Sequence, residues 1–160
     1  MATSLKNLSK HTNTTSAEGM KIALIVAEWN AEITEGLKKG AHKTLIQQGI
    51  YERHLSVYYV PGCFELPLAA QTLLEKGEMD AVICIGCVIR GETSHFDYVC
   101  QGTTFGIQTV SLKYNKPVVF CVLTDDNMEQ SLARSGGKHG NKGVEAAITA
   151  IKMIALQKAI

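Results

Sequence analysis

Four short runs constrain this chain more than any other feature: KIALIVA at 21–27, LSVYYV at 55–60, AVICIGCVI at 81–89 and PVVFCVLT at 117–124. They are rich in valine and isoleucine and lack the polar alternation of a half-solvated strand. That is the pattern of parallel strands buried on both faces. Between them the apolar period lengthens to that of a helix. Ile33, Leu37, Ala41 and Leu45 line one face after Asn30, a candidate N-cap, and Phe96, Val99, Cys100, Thr103, Ile107 and Val110 line another. Val144, Ala147, Ile148, Ile151 and Ala155 mark a last helix, and Gly49 and Gly77 stand where helices would stop. The order βαβαβαβαα predicts an α/β fold, a three-layer α/β/α sandwich around a four-stranded parallel sheet. No internal repeat interrupts it.

Length and composition narrow the classes. A chain of 160 residues, 46% hydrophobic and 19% charged, is long enough to bury one core and is unlike a disordered chain. The predicted organisation is a flexible N-terminal arm over 1–20, rich in Ser, Thr and Asn, and a single domain over 21–160. The formal net charge is +1, so no global field recruits nucleic acid or an anionic membrane. No apolar segment approaches the about 18 residues of a membrane span, and residues 1–20 lack the apolar centre of a secretory signal, so a cytoplasmic location is expected. Five cysteines, at 63, 84, 87, 100 and 121, lie mostly in apolar runs. Cys84 and Cys87 form a CxxC, but residues three apart on a strand face opposite sides, so structural thiols are expected and no metal site.

In parallel sheets ligands bind beyond the carboxyl ends of the strands. Here those ends are AEWNAE, VPGCFELP, RGETSHFD and LTDDN. Neither a GxGxxG nor a GxxxxGK[ST] loop is present, so a nucleotide is not the expected ligand. Trp29, the one tryptophan, is either a stacking surface for a heteroaromatic ring or a lid over the core; its position alone leaves both open. After Gly62 the free backbone N–H groups of 63–65 suit a polar planar ring, and a plain strand-to-helix turn explains the same residues.

Ser94 and Asp97 match a capping box, which predicts a helix start at Ser94 with His95 in its first turn. A helix N-terminus disfavours a nearby cation, whereas Glu92 or Asp97 favours one. His95 is thus a candidate for moving protons in both directions, or a surface histidine at a helix start. Arg134 opens a glycine-rich stretch, SGGKHGNKG, that reads either as a flexible basic loop able to hold phosphate or as a helix-to-helix link. His11, His42, His54 and His139 show no metal-ligand spacing.

WN at 29–30, PGCFELP at 61–67, GCVIRGETSHFDYV at 86–99 and GNKG at 140–143, in order and with matching spacing over about residues 21–156, resemble the lumazine synthase family. The fold this implies is flavodoxin-like. The activity implied is a transferase reaction of riboflavin biosynthesis, its penultimate step. 5-Amino-6-(D-ribitylamino)uracil condenses with 3,4-dihydroxy-2-butanone 4-phosphate to give 6,7-dimethyl-8-ribityllumazine, phosphate and water, without metal or organic cofactor. By resemblance, Trp29 stacks on the pyrimidine with Asn30 beside it. Cys63, Phe64 and Glu65 and then Cys87, Val88 and Ile89 bind the ring and ribityl chain, Glu92 and Thr93 border a phosphate pocket, and His95 transfers protons. Phe120 packs on the far side of the ring, and Arg134, with Lys142 nearby, binds the butanone phosphate. Phe120 and Arg134 would come from an adjacent subunit of a pentamer, and the compact GGKHGNKG link is similar to that of relatives that close 60-subunit icosahedral shells. Association with the partner enzyme riboflavin synthase also follows from the resemblance, not from the residues.

Three positions depart from the family pattern: Trp29 where many relatives carry Phe, Cys63 where Ala or Ser is commoner, and Cys121 where Gly is frequent. Two other classes remain as alternatives, a non-catalytic flavin- or lumazine-binding protein and a shell-forming protein without activity. His95 and Arg134 argue against both, since neither needs a proton-transfer group beside a phosphate clamp.

Overall fold

The computed structural model describes residues 16–160, and the part of the predicted arm over 1–15 lies outside the described residues. Ala17 and Met20 are buried, with the Ala17 N–H donating to the Gln48 carbonyl at 3.0 Å.

Strand β1 (Ile22–Ala27) is buried at every residue, and helix α1 (Ala31–Gln47) follows. Strand β2 (Leu55–Val60) leads through a 3-10 turn (Cys63–Glu65) into α2 (Leu66–Glu75), which has proline in its first turn, where the missing N–H is not needed. Then come β3 (Ala81–Ile89), α3 (His95–Tyr114), β4 (Val118–Asp125) and α4 (Met128–Arg134). A short antiparallel ribbon, β5 (Ser135–Gly137) with β6 (Gly140–Asn141), precedes α5 (Lys142–Ala159). The four long strands form one parallel sheet in the order β2-β1-β3-β4.

Two apolar layers make this a three-layer sandwich. On one face Ile22, Leu24, Val26, Ile83 and Ile85 pack with Leu37 and Leu45 of α1 and Ala147 and Ile151 of α5. On the other, Ala23, Ile25, Val82 and Cys84 pack with Leu66 and Leu74 of α2 and Ile107 and Val110 of α3. The predicted helix stops also hold, since Gly49 (φ 99°) and Gly77 (φ 72°) both take the left-handed conformation that glycine adopts without steric cost. Cys84 and Cys87 point into opposite layers, as strand alternation requires.

Three local expectations are corrected. The run LSVYYV is not buried on both faces: β2 is an edge strand, and Val57, Tyr58 and Tyr59 are exposed. Asn30 occupies the N-cap position of α1, yet its side chain makes no cap hydrogen bond; its backbone is left-handed (φ 58°, ψ 46°), and its carbonyl receives the N–H groups of Ile33 and Thr34. Of the two readings of SGGKHGNKG, the helix-to-helix link holds and the flexible loop does not: the segment joins α4 to α5 as the β5–β6 ribbon. Positive φ at Gly136 and Gly140 permits its tight turn. Asn141 pins it, donating through Nδ2 to the carbonyls of Gly36 (2.9 Å) and Ser135 (3.0 Å) while its Oδ1 accepts the Gly143 N–H and caps α5.

Candidate active site

The strand order reverses between β1 and β3, so the crevice at their carboxyl ends is the topological switch point. One hydrogen bond spans it: Asn30 Nδ2 donates to the Cys87 carbonyl at 3.0 Å. The left-handed backbone of Asn30 thus aims its side chain at β3 instead of back at its own helix. Trp29, just before it, is 72% exposed and tied to the next loop by its N–H to the Pro61 carbonyl. A Cβ at Gly62 would stand 3.7 Å from the Trp29 indole and 3.1 Å from Glu65 Oε2, so indole, glycine and carboxylate adjoin. Within the 3-10 turn, Cys63 is buried and Phe64 lies against α3 at Gly102, with its ring largely exposed.

Beyond β3 the chain passes Val88 and Ile89, half-buried, to the exposed Glu92 and Thr93, and then to His95, exposed at the first residue of α3. The helix start is where the sequence predicts it, but the capping box does not form. Ser94 is already helical (φ −67°, ψ −2°) and its side chain caps nothing. The hydroxyl that reaches the first turn belongs to Thr93, which accepts the His95 N–H at 3.4 Å. Asp97 turns instead to a full cation, the Arg90 guanidinium, at 3.3 Å.

The remaining predicted residues are brought together elsewhere. Phe120 is exposed in the middle of the edge strand β4, opposite Cys84 on β3. With Arg134 and Lys142 it lines a groove of about 930 Å³ along β4 between α3 and α5, which none of the strand-end residues from Trp29 to His95 lines. Arg134 donates from Nη1 to the Gln130 carbonyl at 2.8 Å, and Lys142 pairs with Glu145 at 2.8 Å. The second carboxylate oxygen of Glu145 is buried with no hydrogen-bond partner among the described residues. The fourteen predicted site residues therefore fall into two candidate half-sites, eleven at the strand ends with an exposed indole and an imidazole, and three along the edge with two cations and an aromatic ring.

Burial pushes the Cys63 thiol up to about 12 and raises that of Cys87, the latter offset in part by its contact with the Ser131 hydroxyl. These are packing thiols, not nucleophiles. Sequence reasoning missed the buried chain behind them. Cys87 Sγ meets Ser131 Oγ at 3.3 Å, and that hydroxyl donates to Asp125 Oδ2 at 2.8 Å, joining β3, α4 and the end of β4. The partners are 44 and 6 residues apart, so no local pattern announces them. Among the described residues no group of three His, Cys, Asp or Glu side chains could hold a metal ion, and no helix is long and apolar enough to cross a membrane.

Fold and site together define a class: a parallel α/β protein with an open crevice at its switch point, an exposed indole beside it and an exposed imidazole at the start of the helix that follows β3. The family model for 6,7-dimethyl-8-ribityllumazine synthase matches residues 19–158. Proteins bearing that name are similar along nearly the whole chain. That of Cytophaga hutchinsonii is 53% identical over 156 residues, covering 97% of this chain and 98% of its own length. That of Flavobacterium johnsoniae is 52% identical over 96% of this chain and 82% of its own, and that of Parabacteroides distasonis 51% over 96% and 98%. The chain belongs to the 6,7-dimethyl-8-ribityllumazine synthase family.

Proposed function

We propose that this chain condenses 5-amino-6-(D-ribitylamino)uracil with 3,4-dihydroxy-2-butanone 4-phosphate, releasing phosphate and water and forming 6,7-dimethyl-8-ribityllumazine. Family membership supports the reaction, and what supports the site is the meeting of Trp29, Asn30 and the 63–65 turn at the β1–β3 switch point, with His95 exposed at the start of the helix that follows β3. Trp29 stacks on the pyrimidine. Backbone groups of Cys63, Phe64 and Glu65 and of Cys87, Val88 and Ile89 hold the ring and ribityl chain, and Glu92 and Thr93 border the phosphate. The aromatic amine attacks the ketone and water leaves as the imine forms. Phosphate then departs, and ring closure expels a second water. Each stage moves a proton, and the exposed imidazole of His95 can serve several of them. Orientation of two bound substrates supplies much of the remainder.

The second half-site points to assembly. Phe120, Arg134 and Lys142 face outward along β4, so a groove presented by one subunit completes the strand-end crevice of the next, with Phe120 closing over the ring and Arg134 and Lys142 taking the butanone phosphate. We infer a pentamer, and a 60-subunit shell built from it, able to associate with riboflavin synthase. Light scattering or sedimentation returning a single-chain particle would reject the shared site; a pentamer-sized particle alone would reject the shell.

Mixing the two substrates and following product absorbance and fluorescence tests the activity. His95→Ala is expected to slow turnover by about 10²-fold or more while leaving residual product formation. Near-normal turnover in that variant removes His95 from the mechanism.

A further inference from the structure

Arg90 has no part in the chemistry above, yet it is the most connected charge at the strand ends. It directly follows β3, and its N–H donates to the Asp125 carbonyl at 2.9 Å, so the sheet fixes its backbone. From there the guanidinium reaches three groups. Nε donates to Asp126 Oδ1 at 3.1 Å, Nη1 donates to Asp97 Oδ1 at 3.3 Å, and the guanidinium carbon lies 4.1 Å from the centre of the Phe96 ring. Phe96 and Asp97 are the two residues that follow His95 in the first turn of α3.

As a stabilising device this arrangement is weak. The side chains of Arg90, Asp97 and Asp126 are 45%, 52% and 68% exposed, and ion pairs in that setting contribute little to folding. Helix α3 is already anchored by Phe96, Thr103, Ile107 and Val110. Apart from the buried Phe96, little fixes the direction of its first turn. Ser94 does not cap it, and the Thr93 hydroxyl reaches the His95 N–H at a long 3.4 Å. The fork of Arg90 is the only side chain among the described residues seen to tie that turn to the ends of both β3 and β4. A planar guanidinium holding a carboxylate on each side and stacked on a ring fixes direction as well as distance.

We propose that Arg90 is a positioning residue for the reaction: by clamping Phe96 and Asp97 to the ends of β3 and β4, it holds His95 facing the switch-point crevice. The inference rests on the proton-transfer role proposed above for His95. It accounts for the spacing inside IRGETSHFDY, where the arginine stands five residues before the histidine and closes its contacts on the two residues after it.

The experiment is a kinetic cycle with Arg90→Met, which keeps the aliphatic stem, His95→Ala, and the two combined. Misplacement of a catalytic group by an ångström or less carries up to a hundredfold loss, so Arg90→Met should lower kcat by about tenfold. KM for both substrates should stay within about twofold, and the melting temperature within about 4 °C, the range expected when exposed pairs are lost. The double variant should be no slower than His95→Ala alone, because a group that acts through His95 has nothing to position once the imidazole is gone. Arg90→Lys keeps the charge without the fork and should recover only part of the loss.

Wild-type kcat in Arg90→Met overturns the inference, and so does a double variant slower than His95→Ala by the full Arg90→Met factor. Near-normal turnover in His95→Ala overturns the underlying reading itself, and is told apart by appearing in the single His95 variant. If Arg90→Met fails to fold, Asp126→Asn removes one arm of the clamp from outside α3; an intermediate loss of kcat that vanishes in the His95→Ala background supports the inference, and unchanged kcat overturns it.

Discussion

Replacing Gly86 by alanine tests how the buried layer supports the 63–65 turn proposed to hold the ring. Gly86 lies in the centre of β3, and a Cβ built there falls on the Cys63 sulfur, well inside van der Waals contact, and 3.3 Å from Leu66 Cδ1 and 3.6 Å from Val122 Cγ1. Cys63 is buried and opens the 3-10 turn, so its side chain has little room to rotate away, and the added methyl must push the turn outward. Overpacking of this size costs about 1–3 kcal/mol. For a domain of this length about 2 kcal/mol lowers the melting temperature by about 4–8 °C. The same shift moves Cys63, Phe64 and Glu65, so KM for the pyrimidine substrate should rise while kcat at saturation changes less. Cys63→Ala alone removes the sulfur and leaves a small void costing about 1 kcal/mol. Combined with Gly86→Ala the void receives the methyl, and most of both losses should be recovered, a coupling of about 2 kcal/mol. The assays are thermal unfolding by circular dichroism at fixed protein concentration and steady-state kinetics on all four proteins. Additive losses in the double variant, or a Gly86→Ala protein as stable and as tight for substrate as the parent, would refute the reasoning.

Two further outcomes follow from the thiols and the tryptophan. Burial holds Cys63 and Cys121 near 12 and raises Cys84 further, while the same thiols in an unfolded chain ionise near 9. The folded state keeps its protons where the unfolded state releases them, so the stability is fully present below about pH 9 and is lost as pH rises toward about 12. Denaturant midpoints should fall over that range and fall less in Cys121→Ala; the same slope in both proteins would show that other groups are responsible. Trp29 is the only tryptophan and is 72% exposed, so tryptophan fluorescence, excited selectively over the tyrosines, reports on it alone. Added riboflavin should quench it saturably, whereas quenching that stays linear with concentration would rule out stacking at this site.

Much of the fold was legible in the apolar runs because a parallel strand covered on both faces tolerates no polar alternation. β1, flanked by β2 and β3, is buried at every residue. LSVYYV shows the limit of that logic. An unbroken apolar run records a demand for cover, not whether its own chain supplies it, and at the sheet edge Val57, Tyr58 and Tyr59 remain exposed. Caps were misread for a related reason. Asn30 and Ser94–Asp97 have the composition of caps, but Asn30 finds the Cys87 carbonyl and Asp97 finds Arg90, partners that local sequence cannot see.

The sequence by itself determined the element order, His95 at the start of a helix, and the family, since RGETSHFDYV and its companions stand in order along most of the chain. Tertiary structure alone decided how those residues are grouped. Strand order β2-β1-β3-β4 gathers Trp29, Asn30, Cys63 and Cys87 at one switch point and leaves Phe120 on an edge, in a groove with Arg134 and Lys142. It also brings the Arg90 guanidinium against Phe96 and Asp97 in the turn that carries His95. Periodicity reports which face of an element seeks cover; which elements become neighbours is set by how the whole sheet closes its two apolar layers, and that is a property of the packed chain.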